Sequence, residues 1–181
     1  MKKKLLLLGG LRYLIPVIKS AHEQGYYVIT CDYLPNNIAH KYSDEYINAS
    51  ITDKEAILKI AIDKQIDGIM SFAVDPGVLT ASYVAEKMGL PGCPYKSVQI
   101  LQNKVLFRKY LLDNGFNVPK AKGYKTYSEA LQEVELFNFP LIVKPTDSAG
   151  SKGVSRVDHI KDLKAAFDFA YQNVISDKRV I

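Results

Sequence analysis

Hydrophobic and polar positions alternate along this chain in blocks that change period. Leu5 to Leu8 form a continuous apolar run, ended by Gly9 and Gly10. A helical stretch follows from about Arg12 to Gln24, with Pro16 near its first turn, where a missing N–H costs least, and Gly25 closing it. "YYVITCD" reads as a second strand ending in Asp32, and "LPNN" as a turn. A short extended piece surrounds Tyr46 to Asn48. In "TDKEAILKIAIDKQ", Ile57, Ile60, Ala61 and Lys64 recur at helical spacing, with Thr52 and Glu55 as a capping box. "DGIMSF" is a third buried strand, followed by a helix from about Pro76 to Met88 and the exit "GLPG". Strand and helix alternating in units of this size predict a parallel, doubly wound α/β layer over residues 1–93.

The pattern then changes. "YKSVQILQNKVLFRKYLLDNGF" is helical, as two helices meeting near Asn103, and predicts a connector over 94–119. "VPKAKGYK" is extended, and "TYSEALQEVELF" is a helix with Thr126 and Glu129 as its capping box. "FPLIVKPTDSAGSKGVSRV" supplies two strands around a loop. Leu163, Ala166, Phe167, Ala170 and Tyr171 then share one helical face, the stripe of a core helix. Another strand begins near Val180. Residues 120–181 are therefore expected to form a small α/β domain with a hydrophobic core of its own.

Composition narrows the function classes. The chain has 181 residues, 48% of them hydrophobic and 24% charged, with a net charge of +5, which is ordinary for a soluble globular protein. The lysines are spread without dense blocks or interleaved aromatics, so anionic small molecules fit better than nucleic acid. The opening "MKKKLLLL" is too short in its apolar part for a secretory signal, and no stretch reaches the ~18 apolar residues of a membrane span. Cys31 and Cys93 have no metal-type spacing and the histidines lie far apart, so no metal site is expected within the chain. A cytoplasmic protein with reduced thiols is the expectation.

Two glycine-bearing turns are candidates for chemistry. Gly9 and Gly10 lack the G-x-G-x-x-G spacing of a dinucleotide fold. Strand ends of parallel sheets still open onto ligand crevices, so Gly9, Gly10, Asp32 and Asp75 are candidates for a substrate cleft, the alternative being a tight turn with strand-end acids. The loop "TDSAGSKG" is not a P-loop. Its small residues nevertheless let backbone N–H groups and serine hydroxyls approach a phosphate, with Lys144 on the preceding strand and Lys152 within the loop.

Taken together, "SFAVDPGVLTASYVAEKMGLPG", "NKVLFRKYLLDNGFNVPK" and "FPLIVKPTDSAGSKGV" resemble the ATP-grasp superfamily of carboxylate–amine ligases, including carbamoyl-phosphate synthase large subunits. The resemblance covers the whole chain and implies a pre-ATP-grasp domain, then the small lobe of the ATP-grasp pair. It implies Lys104 and Lys144 as phosphate contacts and a flap of Asp147, Ser148, Ala149, Gly150, Ser151, Lys152 and Gly153 over the phosphates. Both lysines are expected to be substantially exposed, and the flap mobile, when no nucleotide is present.

The resemblance also implies ATP and Mg2+, small carboxylate and amine substrates, and an acyl-phosphate intermediate. It leaves the catalytic residues unassigned and a homodimer open. The metal ligands and the larger lobe would lie outside this chain, which is expected to be the N-terminal part of a longer ligase and inactive alone. A non-catalytic nucleotide- or partner-binding module of the same fold is the alternative.

Overall fold

A computed structural model of the protein describes residues 2–175 and 177–181. The chain divides into two compact units, Met1–Val98 and Gln99–Ile181.

The first unit follows β1 (Lys4–Leu8), α1 (Ile15–Glu23), β2 (Tyr27–Asp32), β3 (Glu45–Asn48), α2 (Lys54–Lys64), β4 (Gly68–Met70) and α3 (Asp75–Met88). The strands form one parallel sheet in the order β3-β2-β1-β4. Both faces are covered, which is why β1 reads as unbroken leucine rather than an alternating strand. Leu7 and Val28 meet Leu14, Ile18 and Ala21 from the α1 side. Leu6, Leu8, Ile29 and Cys31 face the other way, onto Ile57 and Ala61 of α2 and Ala81 and Val84 of α3. This is the doubly wound α/β layer expected from the pattern.

Local signals explain the helix ends, with one correction. Helix α2 is capped by Asp53, whose carboxylate accepts from Ala56 N at 3.1 Å. The expected box of Thr52 and Glu55 does not form, because the acid one residue later reaches the orphan N–H. Glu55 instead accepts from the Tyr83 hydroxyl at 2.8 Å. Helix α3 starts one residue before Pro76 and ends on Gly89 at φ +65°, the left-handed cap that glycine adopts without strain. The helix expected from Arg12 opens as a 3-10 turn, Arg12–Leu14, before α1.

Helix α4 (Tyr95–Gln102) spans the boundary between the units. The second unit continues with α5 (Lys104–Asp113), α6 (Tyr127–Gln132), β5 (Leu141–Val143), β6 (Ser155–Val157) and α7 (Leu163–Gln172). Asn103 caps α5, its side chain accepting from Val105 N and Leu106 N. Thr126 and Glu129 form the expected capping box on α6. Strands β5 and β6 are antiparallel, with Val143 opposite Ser155. Their inner residues Val143 and Val157 pack on Leu163, Ala166, Phe167 and Ala170 of α7. Tyr171 does not join this stripe and is 40% exposed; five residues span a wider arc than the small sheet covers. Val180 bridges Tyr124 on one side and Pro145 on the other and is buried, as isolated bridges rather than the strand expected there.

Candidate functional site

In the second unit, β5 ends at Val143 and delivers Lys144 to the start of the loop. Its main chain pairs with Ile181 through two hydrogen bonds of 2.8 Å each, which fixes the backbone from which the ammonium projects. Lys104 reaches the same place from α5. Its backbone N–H donates to the Thr146 carbonyl at 2.9 Å. Its Nζ donates to the Ser148 carbonyl at 2.8 Å and more weakly to that of Thr146 at 3.4 Å. Both lysines are half-buried rather than substantially exposed as the sequence suggests. Burial, and then the neighbouring charge of Lys144, hold the Lys104 ammonium below its ordinary pKa, while Asp147 acts in the opposite direction. Burial and the Arg108 guanidinium do the same to Lys144.

Two lysines thus meet at one loop, Lys144 lowering the pKa of Lys104 and the Arg108 guanidinium that of Lys144. A bound anion would relieve that repulsion. Arg108 is not among the candidates that the sequence motifs single out. A signal for it exists, since Arg108 lies four residues after Lys104 and hence on the same face of α5.

The loop folds as tight turns. Gly150 has φ +65°, Ser151 +57° and Gly153 +69°. At Gly153 an added Cβ would come within 2.8 Å of Asn173 Cβ and Pro145 Cγ, while at Gly150 it would meet nothing within 4 Å. Thr146 is fully buried, its hydroxyl donating to the Arg179 carbonyl at 3.1 Å. Asp147 accepts from the backbone N–H of Ile175 and of Asp177, at 2.9 Å each. Ser148, Ala149, Gly150, Ser151 and Lys152 lie between these anchored ends. A cavity of about 560 Å³ opens beside the site. Its wall includes Arg108, Lys122, Tyr124, Phe137, Lys144 and Ile181, a mixed cationic and apolar lining of the kind that holds an amphiphilic anion.

In the first unit, Gly9, Gly10 and Asp32 lie at the C-terminal ends of β1 and β2, and Asp75 opens α3 after β4. Packing accounts for much of their chemistry. An added Cβ on Gly10 would sit 2.5 Å from the His40 ring. Asp32 is nearly buried and closes its own turn, accepting from Leu34 N at 3.0 Å and Asn37 Nδ2 at 3.1 Å. Asp75 is exposed. His40, which no sequence motif singles out, is the side chain around which this edge is built.

Among the described residues, no group of three or more His, Cys, Asp or Glu side chains could hold a metal ion, and no helix is long and apolar enough to cross a membrane.

Comparisons with known proteins give a consistent class. No family model matches the chain. The carbamoyl phosphate synthase large chain of Pseudothermotoga lettingae is 30% identical over 145 residues, 78% of this chain and 13% of that one. The formate-dependent phosphoribosylglycinamide formyltransferase of Bacteroides thetaiotaomicron is 26% identical over 179 residues, covering 98% of this chain and 46% of that one. Among solved structures, N5-carboxyaminoimidazole synthetase from Staphylococcus aureus, complexed with ADP, superposes with a TM-score of 0.77 at 21% identity, over 99% of this chain and 47% of that one.

The homologues are ATP-dependent ligases of the ATP-grasp family. This chain carries the fold of their N-terminal part and spans less than half the length of each relative named above.

Proposed function

We propose that this chain holds the phosphates of ATP for a carboxylate–amine ligase. The observation that carries the reading is the convergence of two half-buried lysines, both pushed toward losing their protons, on a loop of small residues. Bound ATP supplies the phosphoryl group that activates a carboxylate for attack by an amine. Lys104, Lys144 and Arg108 neutralise and orient the phosphate oxygens. Ser148, Gly150 and Ser151 offer hydroxyl and backbone donors from a loop short enough to wrap them. The first unit would supply part of the substrate cleft along the C-terminal edge of its sheet, near Gly9, Gly10, Asp32 and Asp75.

The described residues offer no cluster to hold magnesium, so no step is assigned to it. The relatives are more than twice as long as this chain, and an ATP-grasp site takes its name from two lobes closing on the nucleotide. The chain by itself is therefore expected to bind ATP weakly and to turn over nothing. A non-catalytic nucleotide-binding module is the second reading, supported by the same cations without the chemistry.

The test is an NMR titration of this chain with magnesium–ATP. Shifts centred on Lys104, Lys144 and Gly150 are expected, and shifts centred elsewhere would overturn the site. ADP release from a ligase containing this chain, dependent on one member of a panel of carboxylates and amines, separates enzyme from module.

A further inference from the structure

Asp147 poses a problem for the site. A carboxylate at the mouth of a phosphate loop repels the phosphate, yet one stands directly after Thr146. Its hydrogen bonds give it a different task. Its two oxygens accept from the backbone N–H groups of Ile175 and Asp177, at 2.9 Å each. The Asp177 side chain accepts from Asn103 Nδ2 at 3.0 Å. Asn103 caps α5, and the next residue is Lys104, which bonds back to the carbonyls of Thr146 and Ser148 on either side of Asp147. Hydrogen bonds and chain neighbours together close a ring: Asp147, Asp177, Asn103, Lys104, and back to Thr146 and Ser148 beside Asp147.

We propose that Asp147 is a positioning residue, staking the foot of the loop to the N–H groups of Ile175 and Asp177 so that the Thr146 and Ser148 carbonyls hold the Lys104 ammonium in place. Hydrogen bonds from backbone N–H to a carboxylate are among the stronger ones in a protein. At the other end of the loop, Gly153 is wedged against Asn173 and Pro145. Both feet therefore rest near the exit of α7, and the part of the loop able to rearrange is Ser148 to Lys152 rather than the whole of 147–153. The positioning role concerns Lys104 as such; its meaning for phosphate binding rests on the function proposed above.

The experiment uses the 181-residue chain and trace acetylation of its lysines, with Lys152 as internal reference. Asp147→Asn keeps the volume but removes the charge and one acceptor. Because the Asp147 charge also favours the Lys104 proton, labelling is followed across pH and compared as the rate of the free amine. That rate at Lys104 is expected to rise about tenfold or more relative to Lys152, in line with the loss of charge-assisted hydrogen bonds. Thr146→Val, which removes only the hydroxyl bond to Arg179, is expected to leave that ratio within about twofold, since the carboxylate ring stays intact. An unchanged ratio in Asp147→Asn overturns the proposal, as does an equal rise in Thr146→Val, which would indicate general loosening.

If Asp147→Asn does not fold, amide exchange in the wild type decides. Ile175 and Asp177 lie beyond the last helical residue, so slow exchange there is expected only if the carboxylate holds them, and exchange at the unstructured rate overturns the proposal. Protection of Lys104 by magnesium–ATP in the wild type tests the nucleotide reading separately. Either result can fail without the other.

Discussion

Lys104 Nζ lies 2.8 Å from the carbonyl oxygen of Ser148, so the base assigned to phosphate is hydrogen-bonded to the very loop that would cover the phosphate. On the function proposed above, an incoming phosphate oxygen would compete with that carbonyl, and capturing the lysine would free the loop at Ser148. Anion binding and loop rearrangement would then be coupled through one side chain.

The first prediction concerns the strength of that anion contact. A hydrogen bond from a charged donor contributes roughly 1.5–3 kcal/mol, or about ten- to a hundredfold in affinity. Lys104→Met and Lys144→Met should each weaken magnesium–ATP binding by such a factor. Dissociation constants from NMR titration are the measurement. Undiminished affinity in both lysine variants would remove them from the site.

The second concerns two loop glycines, Gly150 and Gly153, which have similar positive φ and different surroundings. At Gly150 an added methyl meets open space, so Gly150→Ala should cost only the left-handed strain, about 1 kcal/mol. At Gly153 the same strain adds to a collision with Asn173 and Pro145, neither of which has a flexible atom to withdraw. Gly153→Ala should therefore cost about 1–3 kcal/mol more, in the range of overpacked sites. Urea unfolding of the two variants gives the comparison, and equal losses would mean that the crowding at Gly153 relaxes.

Much of this architecture is legible in the amino-acid sequence. The leucines of β1, the proline at the start of α3 and the Thr126–Glu129 box each carry a local physical signal, and each forms the element it implies. So does the antiparallel pair around the loop. What is not legible depends on side chains remote in sequence. Asp147 reads as part of an anion cradle because nothing local shows that Ile175 and Asp177 will bring their N–H groups to it. The half-burial of Lys104 has the same origin, in contacts 42 and 44 residues away. Asp53 displaces Thr52 as a cap because adjacent candidates compete for one N–H, and spacing alone does not rank them. The glycine pair after β1 reads as room for a ligand, whereas the room at Gly10 is taken by His40.

A third prediction separates the two thiols. Cys31 is fully buried, and burial first, then the charge of Asp32, pushes its pKa up to about 12. Cys93 is exposed. Alkylation at pH 8 should modify Cys93 readily and Cys31 only once the first unit unfolds, because the thiolate is the reactive form. Since the Cys31 pKa is raised above its unfolded value of 9.0, the fold holds its proton longer, and this group's contribution to stability is lost as pH rises from about 9 to 12. Peptide mapping after a short exposure to iodoacetamide checks the first point. Rapid double modification of the folded chain would contradict the burial of β2.

The last prediction follows from His40, and its sign can be worked out from the bonds it makes. Nδ1 lies 2.9 Å from the Thr30 hydroxyl and Nε2 lies 3.2 Å from the Leu34 carbonyl. The carbonyl can only accept, so Nε2 carries the proton and Nδ1 accepts from Thr30. The ring also stacks on Tyr46, with centroids 4.1 Å apart. Burial lowers the pKa below its ordinary 6.5, outweighing the Leu34 carbonyl and the Asp32 charge, which both favour the proton. The unfolded chain therefore takes up a proton at a higher pH than the folded one. The stability associated with His40 is complete above about 6.5 and declines as pH falls from there toward the lowered folded value, below which the loss is constant. Asp44 acts in a different window. Its burial is outweighed by hydrogen bonds from Val28 N–H and His22, its pKa is lowered below 3.8, and its contribution is lost only at more acidic pH. Urea unfolding of the first unit between pH 7 and 5 should thus show a decline that His40→Gln flattens and Asp44→Asn does not. A His40→Gln variant that keeps the full decline would show that the proton goes elsewhere.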